Sequence, residues 1–305
     1  MPVDRKELES RVLPQMVLSE ASNPLTAPLP QLTASNPADR ALQRFAVEGA
    51  AIVTGGSGFL GIAAVRALLE HGAPGIAIFD MHTSLQTAEP AIADLRTKFT
   101  SATIITKTID VCDEAVVRDA VDESAKEIGQ IRHLLCFAGI VGCAPSLEVD
   151  IDAWRKVIDV NLTGSWICAQ AVARKMVEQQ TSGSIVFTAS ISGHSVNFPQ
   201  PQVAYNTSKM GIRQLARSLA AEWAHHGIRV NSISPGYMNT ILNHGDGLKA
   251  AREIWAARNP MGRMGEPEEL TGAVILLSSA FAGRYITGID IVVDGRFSSF
   301  LTLQR

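Results

Sequence analysis

From Gly49 onward the chain alternates short apolar runs with longer amphipathic stretches. AAIVTGG, GIAIFD, ATIITKTID, RHLLCFAG, GSIVFTAS, IRVNSIS and GIDIVVDG have the length and β-branched content of strands. The stretches between them repeat apolar residues at helical spacing, most clearly Ile212, Leu215, Ala216, Leu219, Ala220 and Trp223. Strands separated by helices predict right-handed βαβ units and a single doubly wound α/β domain, its seven-stranded parallel sheet flanked by helices. In such sheets ligands bind at the carboxyl ends of the strands, so the strand-to-helix turns are where chemistry is expected.

Residues 1–48 break this pattern. Pro24, Pro28, Pro30 and Pro37 preclude a continuous helix there, each removing a backbone donor and fixing φ. The segment reads as an appended arm, extended or partly disordered, ahead of a domain spanning residues 49–305. Two readings stand: a disordered tail, or an ordered arm lying on the body or on a neighbouring subunit, which the scattered leucines favour.

With 305 residues, 46% of them hydrophobic and 19% charged, the chain has enough apolar side chain for a full core. A formal net charge of -3 supplies no basic field for a polyanion, which argues against nucleic acid as a partner. The apolar stretch Leu270 to Gly283 falls short of the roughly 20 residues that span a bilayer. Cys112, Cys136, Cys143 and Cys168 form no C-x-x-C pair and read as reduced core thiols. MPVDRKELES carries neither a secretory h-region nor a transit-peptide composition, so a cytoplasmic location is expected. The seven histidines are scattered, His225-His226 is adjacent, and no metal site is expected.

After the first strand, Gly55-Gly56-Ser57-Gly58-Phe59-Leu60-Gly61 leads into a helix with Leu60, Ala64, Ala67 and Leu68 on one face. Gly56, Gly58 and Gly61 satisfy G-x-G-x-x-G in the strand-to-helix setting where backbone amides and the helix dipole hold a pyrophosphate. Asp80 ends the next strand, nineteen residues beyond Gly61, where a carboxylate accepts from ribose hydroxyls. Met81 and His82 follow it, and the turn carries no Arg or Lys to pair a 2′-phosphate. NAD is therefore expected over NADP.

Tyr205-Asn206-Thr207-Ser208-Lys209 opens the best-patterned helix, and the i,i+4 spacing puts phenol and ammonium on one face. A cation there favours the phenolate, as a general acid/base exchanging a proton with an alcohol requires. Ser190 closes a strand fifteen residues earlier and is placed to donate to a carbonyl oxygen. Asn161, in VNLTG, is the fourth candidate; by itself it reads as a helix-bending or capping residue.

These motifs in this order resemble the short-chain dehydrogenase/reductase family, over about Ala51 to Gly295. The resemblance implies a Rossmann-type fold. Tyr205 becomes the catalytic acid/base, and Lys209 both lowers its pKa and bonds the nicotinamide ribose. Ser190 orients the substrate oxygen, and Asn161 supports a proton relay to Lys209. On the cofactor side, Gly55, Ser57, Gly58, Phe59, Leu60 and Gly61 form the phosphate turn, with Asp80 at the ribose. Asp110 and Val111 contact adenine, Ala138 and Gly139 line the ribose channel, and Pro235, Gly236, Met238 and Thr240 hold the carboxamide side. Helices starting near Asn161 and Tyr205 carry the subunit contacts of a homotetramer or homodimer. The chain departs from the family twice: Phe59 gives the turn the spacing of the family's extended branch, although the RMGEPEEL tail resembles the shorter one, and Cys136-Phe137 replaces the usual Asn-Asn before Ala138-Gly139.

HSVNFPQPQVAYNTSK, with SLAAEWAHHGIRVNSISPGYMNT, resembles fungal polyol dehydrogenases and ketose reductases of the mannitol, arabinitol and sorbose type. Ser190, Ser192, Asn197, Gln200 and Tyr205 are the expected substrate contacts, and Gln202 adds another amide for a polyhydroxy ligand. His194 reads as structural. A segment between Asn239 and Arg258, with Gly245 and Gly247 as hinges, takes the place of a substrate lid, and Leu242, His244, Asp246 and Trp255 are its candidate contacts. The expected reaction is hydride transfer between NAD(H) and a sugar alcohol or its ketose. The alternatives are a ketoreductase for a cyclic or aromatic ketone, or an inactive nucleotide-sensing scaffold.

Overall fold

The computed structural model describes residues 12–240, 243 and 246–300. All seven apolar runs form strands: β1 (Ala50–Thr54), β2 (Gly75–Asp80), β3 (Thr103–Thr108), β4 (Ile131–Cys136), β5 (Gly183–Thr188), β6 (Ile228–Pro235) and β7 (Asp290–Val293). They pair in parallel in the order β3-β2-β1-β4-β5-β6-β7. The order reverses between β1 and β4, which opens the crevice above their carboxyl ends.

The strands are apolar throughout because both faces of the sheet are covered. Successive residues of β1 go to opposite sides: Ile52 joins Phe79, Leu134, Ile185 and Phe187 on one face, and Ala51 and Val53 join Ile78, Leu135 and Val186 on the other. After α1 (Pro37–Phe45), the sheet-flanking helices begin with α2 (Phe59–Glu70), α3 (His82–Lys98) and α4 (Glu114–Ile128). A broken helix follows, α5 (Ile151–Ile158) and α6 (Gly164–Glu178), then the long α7 (Val203–Trp223), with α8 (Lys249–Ala257) and α9 (Thr271–Ser278) beyond it. Ile212, Ala216, Leu219 and Ala220 of α7 are buried in the first cluster, as their spacing predicts. Phe187 is fully buried, so Phe187→Ala is worth about 3–5 kcal/mol of stability.

The arm makes specific contacts at the amino ends of the strands. Asn23 donates to the His225 carbonyl at 2.7 Å, and Arg284 donates to the carbonyls of Leu25 and Ala27. Gly227, at φ 70°, lies so close to Leu25 that a Cβ would come within 2.7 Å of its carbonyl oxygen. α1 begins at Pro37, a position where the missing N–H costs nothing, and Asn36 caps it by accepting from Ala38 and Asp39. Its end is held by Ser279 Oγ and the Ala282 amide, both donating to the Arg44 carbonyl. Among the described residues of the arm, the prolines thus leave room for one short helix, which the sequence reading did not place.

Where the arm enters the sheet, His133 of β4 is buried and its Nε2 donates to the Glu48 carbonyl at 2.8 Å. Burial pulls its pKa down to about 4. The unfolded chain takes up this proton near pH 6.5 while the native state resists until about 4, so this contribution is complete above pH 6.5 and is lost between pH 6.5 and 4. At roughly 1.4 kcal/mol per pKa unit, urea unfolding at pH 7 and pH 4.5 should register a loss approaching 3 kcal/mol that His133→Gln lacks. An identical pH slope in parent and variant would contradict this assignment.

Candidate active site

β1 ends in a turn that only glycine permits. Gly55 has φ 61°, and a Cβ there would lie 2.4 Å from the Ala138 amide; a Cβ on Gly61 would lie 2.4 Å from the Gly55 carbonyl oxygen. The helix that follows is capped by Gly58, which has no side chain to satisfy the first-turn amides, so these remain to meet an anion. At the end of β2, Asp80 Oδ2 accepts from Ser57 Oγ at 2.6 Å and from Ser57 N at 3.2 Å, and Oδ1 accepts from Met81 N at 2.8 Å. Ser57 therefore fastens the glycine turn to the strand-end carboxylate, a link that spacing alone did not reveal. A dinucleotide fits this cradle. Leu60 faces the cleft described below, while Phe59 is half exposed at the helix start.

Asp110 follows β3, exposed, with Oδ1 accepting from Cys112 N. Val111 turns its side chain inward against Gly164, where a Cβ would come within 2.6 Å, so it presents only its backbone to a nucleotide. Cys136 and Phe137 lack the amides usual at these positions, and the backbone supplies the link instead: Phe137 N donates to the Thr54 carbonyl at 2.8 Å.

The chemistry gathers at the ends of β4 and β5. Between α5 and α6 the helix widens into a π-turn, Asp159–Thr163, which carries Asn161 inward. Its Oδ1 accepts from Ile140 N at 2.8 Å, and its Nδ2 donates to the Ile140 carbonyl at 2.9 Å and to Ser208 Oγ at 3.0 Å. Ser208 in turn donates to the Tyr205 carbonyl at 2.7 Å. Gly139 lies beside this group, where a Cβ would sit 3.2 Å from Asn161 Oδ1 and 3.7 Å from Lys209 Nζ. The sequence expectation of a capping or bending residue missed the π-turn, which leaves no mark in hydrophobic spacing.

Lys209 is buried, with Nζ donating to the Thr188 carbonyl at 2.7 Å and lying 5.6 Å from the centre of the Tyr205 ring. The i,i+4 prediction of one shared face holds. Burial lowers the Lys209 pKa to about 8, and burial raises that of Tyr205, opposed by a hydrogen bond with Ser190. The lowered phenol pKa that the resemblance implies is not a property of the chain alone. A low-dielectric site penalises both charged forms, and the ammonium is directed at Thr188.

Ser190, Ser192, Asn197, Gln200, Gln202 and Tyr205 line one cleft of about 320 Å³, with Pro235, Gly236, Met238 and Thr240 contributing another part of its wall. Met238 packs on Gly265, and Gly236 lies against Asp294 too closely for any side chain. Gln200 does more than line the cleft: its Oε1 accepts from Tyr237 Oη at 3.1 Å and Trp255 Nε1 at 3.3 Å. Tyr237 stacks on Trp255 with centroids 4.2 Å apart, so Gln200 clasps α8 to the loop ahead of α7. Sequence reasoning omitted Tyr237 although it stands between two assigned residues, Gly236 and Met238. Its phenol, pushed up to about 12 by burial, remains a neutral donor. His194 is held by Asp290 at 2.7 Å and Ser234 at 3.1 Å, in keeping with a structural role. Leu242, His244, Gly245 and the Asp246 side chain lie outside the described residues.

A family model described as Enoyl-(Acyl carrier protein) reductase matches residues 57–298. The chain is 38% identical over 262 residues to galactitol 2-dehydrogenase of Rhizobium johnstonii, covering 84% of this chain and 98% of that protein. It is also 38% identical over 265 residues to the NADP-dependent mannitol dehydrogenase of Hypocrea jecorina, covering 86% and 97%. A solved short-chain type dehydrogenase/reductase from Mycobacterium marinum superposes with a TM-score of 0.75 at 37% identity, covering 84% of this chain and 98% of that one.

The depressed Lys209 pKa has a consequence for stability. Below pH 8 the lysine is charged in both states, and folding bears the full cost of burying the ammonium. Between pH 8 and 10.5 the native state gives up its proton first, so the parent gains stability as pH rises. Lys209→Met should be more stable than the parent at pH 7, by up to about 3 kcal/mol less the lost bond to Thr188, with the advantage fading toward pH 10.5. Denaturant unfolding at pH 7, 9 and 10.5 measures this; a variant weaker than the parent by the same amount at each pH would refute it.

Proposed function

The chain belongs to the short-chain dehydrogenase/reductase family, and on that premise we propose that it interconverts a sugar alcohol and its ketose, with NAD(H) preferred over NADP(H). The observation that carries this reading is the convergence of Ser190 and Tyr205 on one cleft, with Lys209 bonded to the Thr188 carbonyl beside them and Ser192, Asn197, Gln200 and Gln202 on the same wall. The bound nicotinamide supplies or accepts the hydride. In reduction, the ketone oxygen accepts from the hydroxyls of Ser190 and Tyr205, and the Tyr205 proton passes to that oxygen. The phenolate left behind is stabilised by the Lys209 ammonium, which is populated below about pH 8. Oxidation of the alcohol runs the same proton in reverse, with the phenolate as base. Asn161 acts through Ser208 to keep Tyr205 in register with the loop after β4.

Relatives named for galactitol and mannitol support the polyol reading, and so does the cleft. On its wall Asn197 keeps a buried Oδ1 with no partner among the described residues, an acceptor that a ligand hydroxyl satisfies and an apolar cyclic or aromatic ring does not. A nucleotide-sensing scaffold has no use for a buried lysine beside a tyrosine and a serine. The preference for NAD rests on Asp80, whose carboxylate stands against the glycine turn and repels a 2′-phosphate, although several relatives, the Hypocrea jecorina mannitol dehydrogenase among them, are named NADP-dependent. No helix among the described residues is long and apolar enough to cross a membrane, and we read the protein as cytoplasmic. Exposed Trp166, Val177 and Met210 on α6 and α7 fit the homodimer or homotetramer expected from the resemblance.

Two measurements test this reading. Tyr205→Phe should lose at least about a hundredfold in turnover of a polyol or ketose while NADH still quenches intrinsic fluorescence with an unchanged dissociation constant; full activity would remove Tyr205 from the mechanism. The parent should use NADH at least tenfold more efficiently than NADPH, and Asp80→Asn should narrow that gap. Equal use of both by the parent would overturn the cofactor preference.

A further inference from the structure

Ser190 leads into a single 3-10 turn, Ile191–Gly193, which closes on it through a bond from the Gly193 amide to the Ser190 carbonyl at 2.9 Å. So short a turn has little stiffness of its own, and the direction of Ser190 depends on what grips the turn from outside. Two grips come from different elements. Arg213 lies four residues beyond Lys209 on the same face of α7, and its Nη1 donates to the Gly193 carbonyl at 2.6 Å. His194 Nε2 donates to Oδ2 of Asp290, the first residue of β7, at 2.7 Å. The turn also abuts the helix directly, since a Cβ on Gly193 would come within 2.8 Å of the Lys209 carbonyl.

Both grips meet at one carboxylate. The Asp290 side chain is 7% exposed; its Oδ1 accepts from Ser232 Oγ at 2.6 Å and its Oδ2 from Ser234 Oγ at 2.8 Å, both on the neighbouring β6. Arg213 Nε stands 3.5 Å from the same Oδ2 and has no hydrogen bond of its own. A buried charge persists where donors and an opposite charge surround it, and Asp290 has two hydroxyls, an imidazole and a guanidinium. The serines anchor the carboxylate on the sheet, while His194 and Arg213 pass that anchor to the turn and to α7. None of these three, His194, Arg213 or Asp290, lines the cleft itself.

We propose that Asp290 is a positioning residue for the reaction, which through His194 and Arg213 holds Ser190 at a set distance from Tyr205 and Lys209. This rests on the assignment of Ser190 and Tyr205 to the proton transfer, and it holds for any alcohol or ketone as substrate.

A double-mutant cycle with Ser190→Ala separates positioning from general support. Reduction of D-fructose, L-sorbose or D-ribulose, whichever the parent turns over fastest, is followed at saturating NADH. His194→Leu and Asp290→Asn should each lower kcat by about tenfold or more, with the NADH dissociation constant unchanged. In the Ser190→Ala background the same substitutions should cost less than about twofold, because the group they position is gone. His194→Gln, whose amide still donates toward Asp290, should recover most of the parent's kcat. Equal losses in both backgrounds, or no loss from His194→Leu in the parent, would overturn the proposal. Should Asp290→Asn fail to fold, the two His194 variants carry the cycle alone.

Tyr205 gives a second readout that needs no turnover. Burial raises its phenol and the hydrogen bond with Ser190 opposes that rise. A displaced Ser190 therefore moves the titration upward, whereas water entering a loosened cleft moves it downward. NMR of tyrosine-labelled protein against pH should show an upward movement in His194→Leu matching that in Ser190→Ala. An unmoved or lowered titration overturns the proposal. If the parent reduces no ketose, the sugar-alcohol reading falls, and this titration still decides the role of Asp290.

Discussion

The amide of Asn161 uses both its hydrogens and its oxygen on two neighbours, the Ile140 backbone after β4 and Ser208 on α7, and the rest of the site takes its geometry from that link. The sheet sets the ends of β4 and β5 side by side but does not fix how far along its axis α7 sits. Asn161 fixes that, because a shift of α7 leaves a buried amide unpaired, at about 1–3 kcal/mol. The π-turn is what allows it: one extra residue in the helix rotates the side chain away from its own helix and into the gap that Gly139 leaves open. Tyr205 and Lys209 follow as neighbours of Ser208 on the same helix.

The same placement explains why the site is costly to build. Lys209 is buried beside Gly139 and the Tyr205 ring, and its ammonium donates to the Thr188 carbonyl. Burial acts against charge on both Tyr205 and Lys209, raising the phenol and lowering the amine, so the neutral forms are favoured. Stability and reactivity pull in opposite directions at this position, as they do where a fold keeps an ionisable group dry for use.

Polarity in the cleft is organised by hydrogen-bond saturation. Gln200 has its oxygen committed to Tyr237 and Trp255, which ties α8 to the loop before α7, and Gln202 has both amide hydrogens committed to Ser192 and Asn206. Two glutamines that the sequence presents as equivalent amides thus do different work. One holds the wall of the cleft, and the other joins Ser192 to the first turn of α7. At the opposite end of the sheet, Arg229 donates to the carbonyls of Leu277, Ser278 and Ser279 that close α9, and Arg284 to those of the arm, so guanidinium groups serve there as caps.

The strands, their parallel pairing and the Gly55–Gly61 cradle were legible in the chain because each follows from local properties: apolar runs of strand length, helical spacing between them, and glycine where no Cβ fits. Tyr205 and Lys209 were legible for the same reason, since four residues of helix bring two side chains onto one face whatever surrounds them. The π-turn at Asn161, the Ser57–Asp80 bond, the inward turn of Val111, the clasp at Gln200 and the missed Tyr237 were not, because each depends on groups that meet only after the sheet has closed. The direction of the pKa shifts belongs with them. Spacing places a cation beside a phenol, but the dielectric that decides whether either is charged is set by everything packed around them.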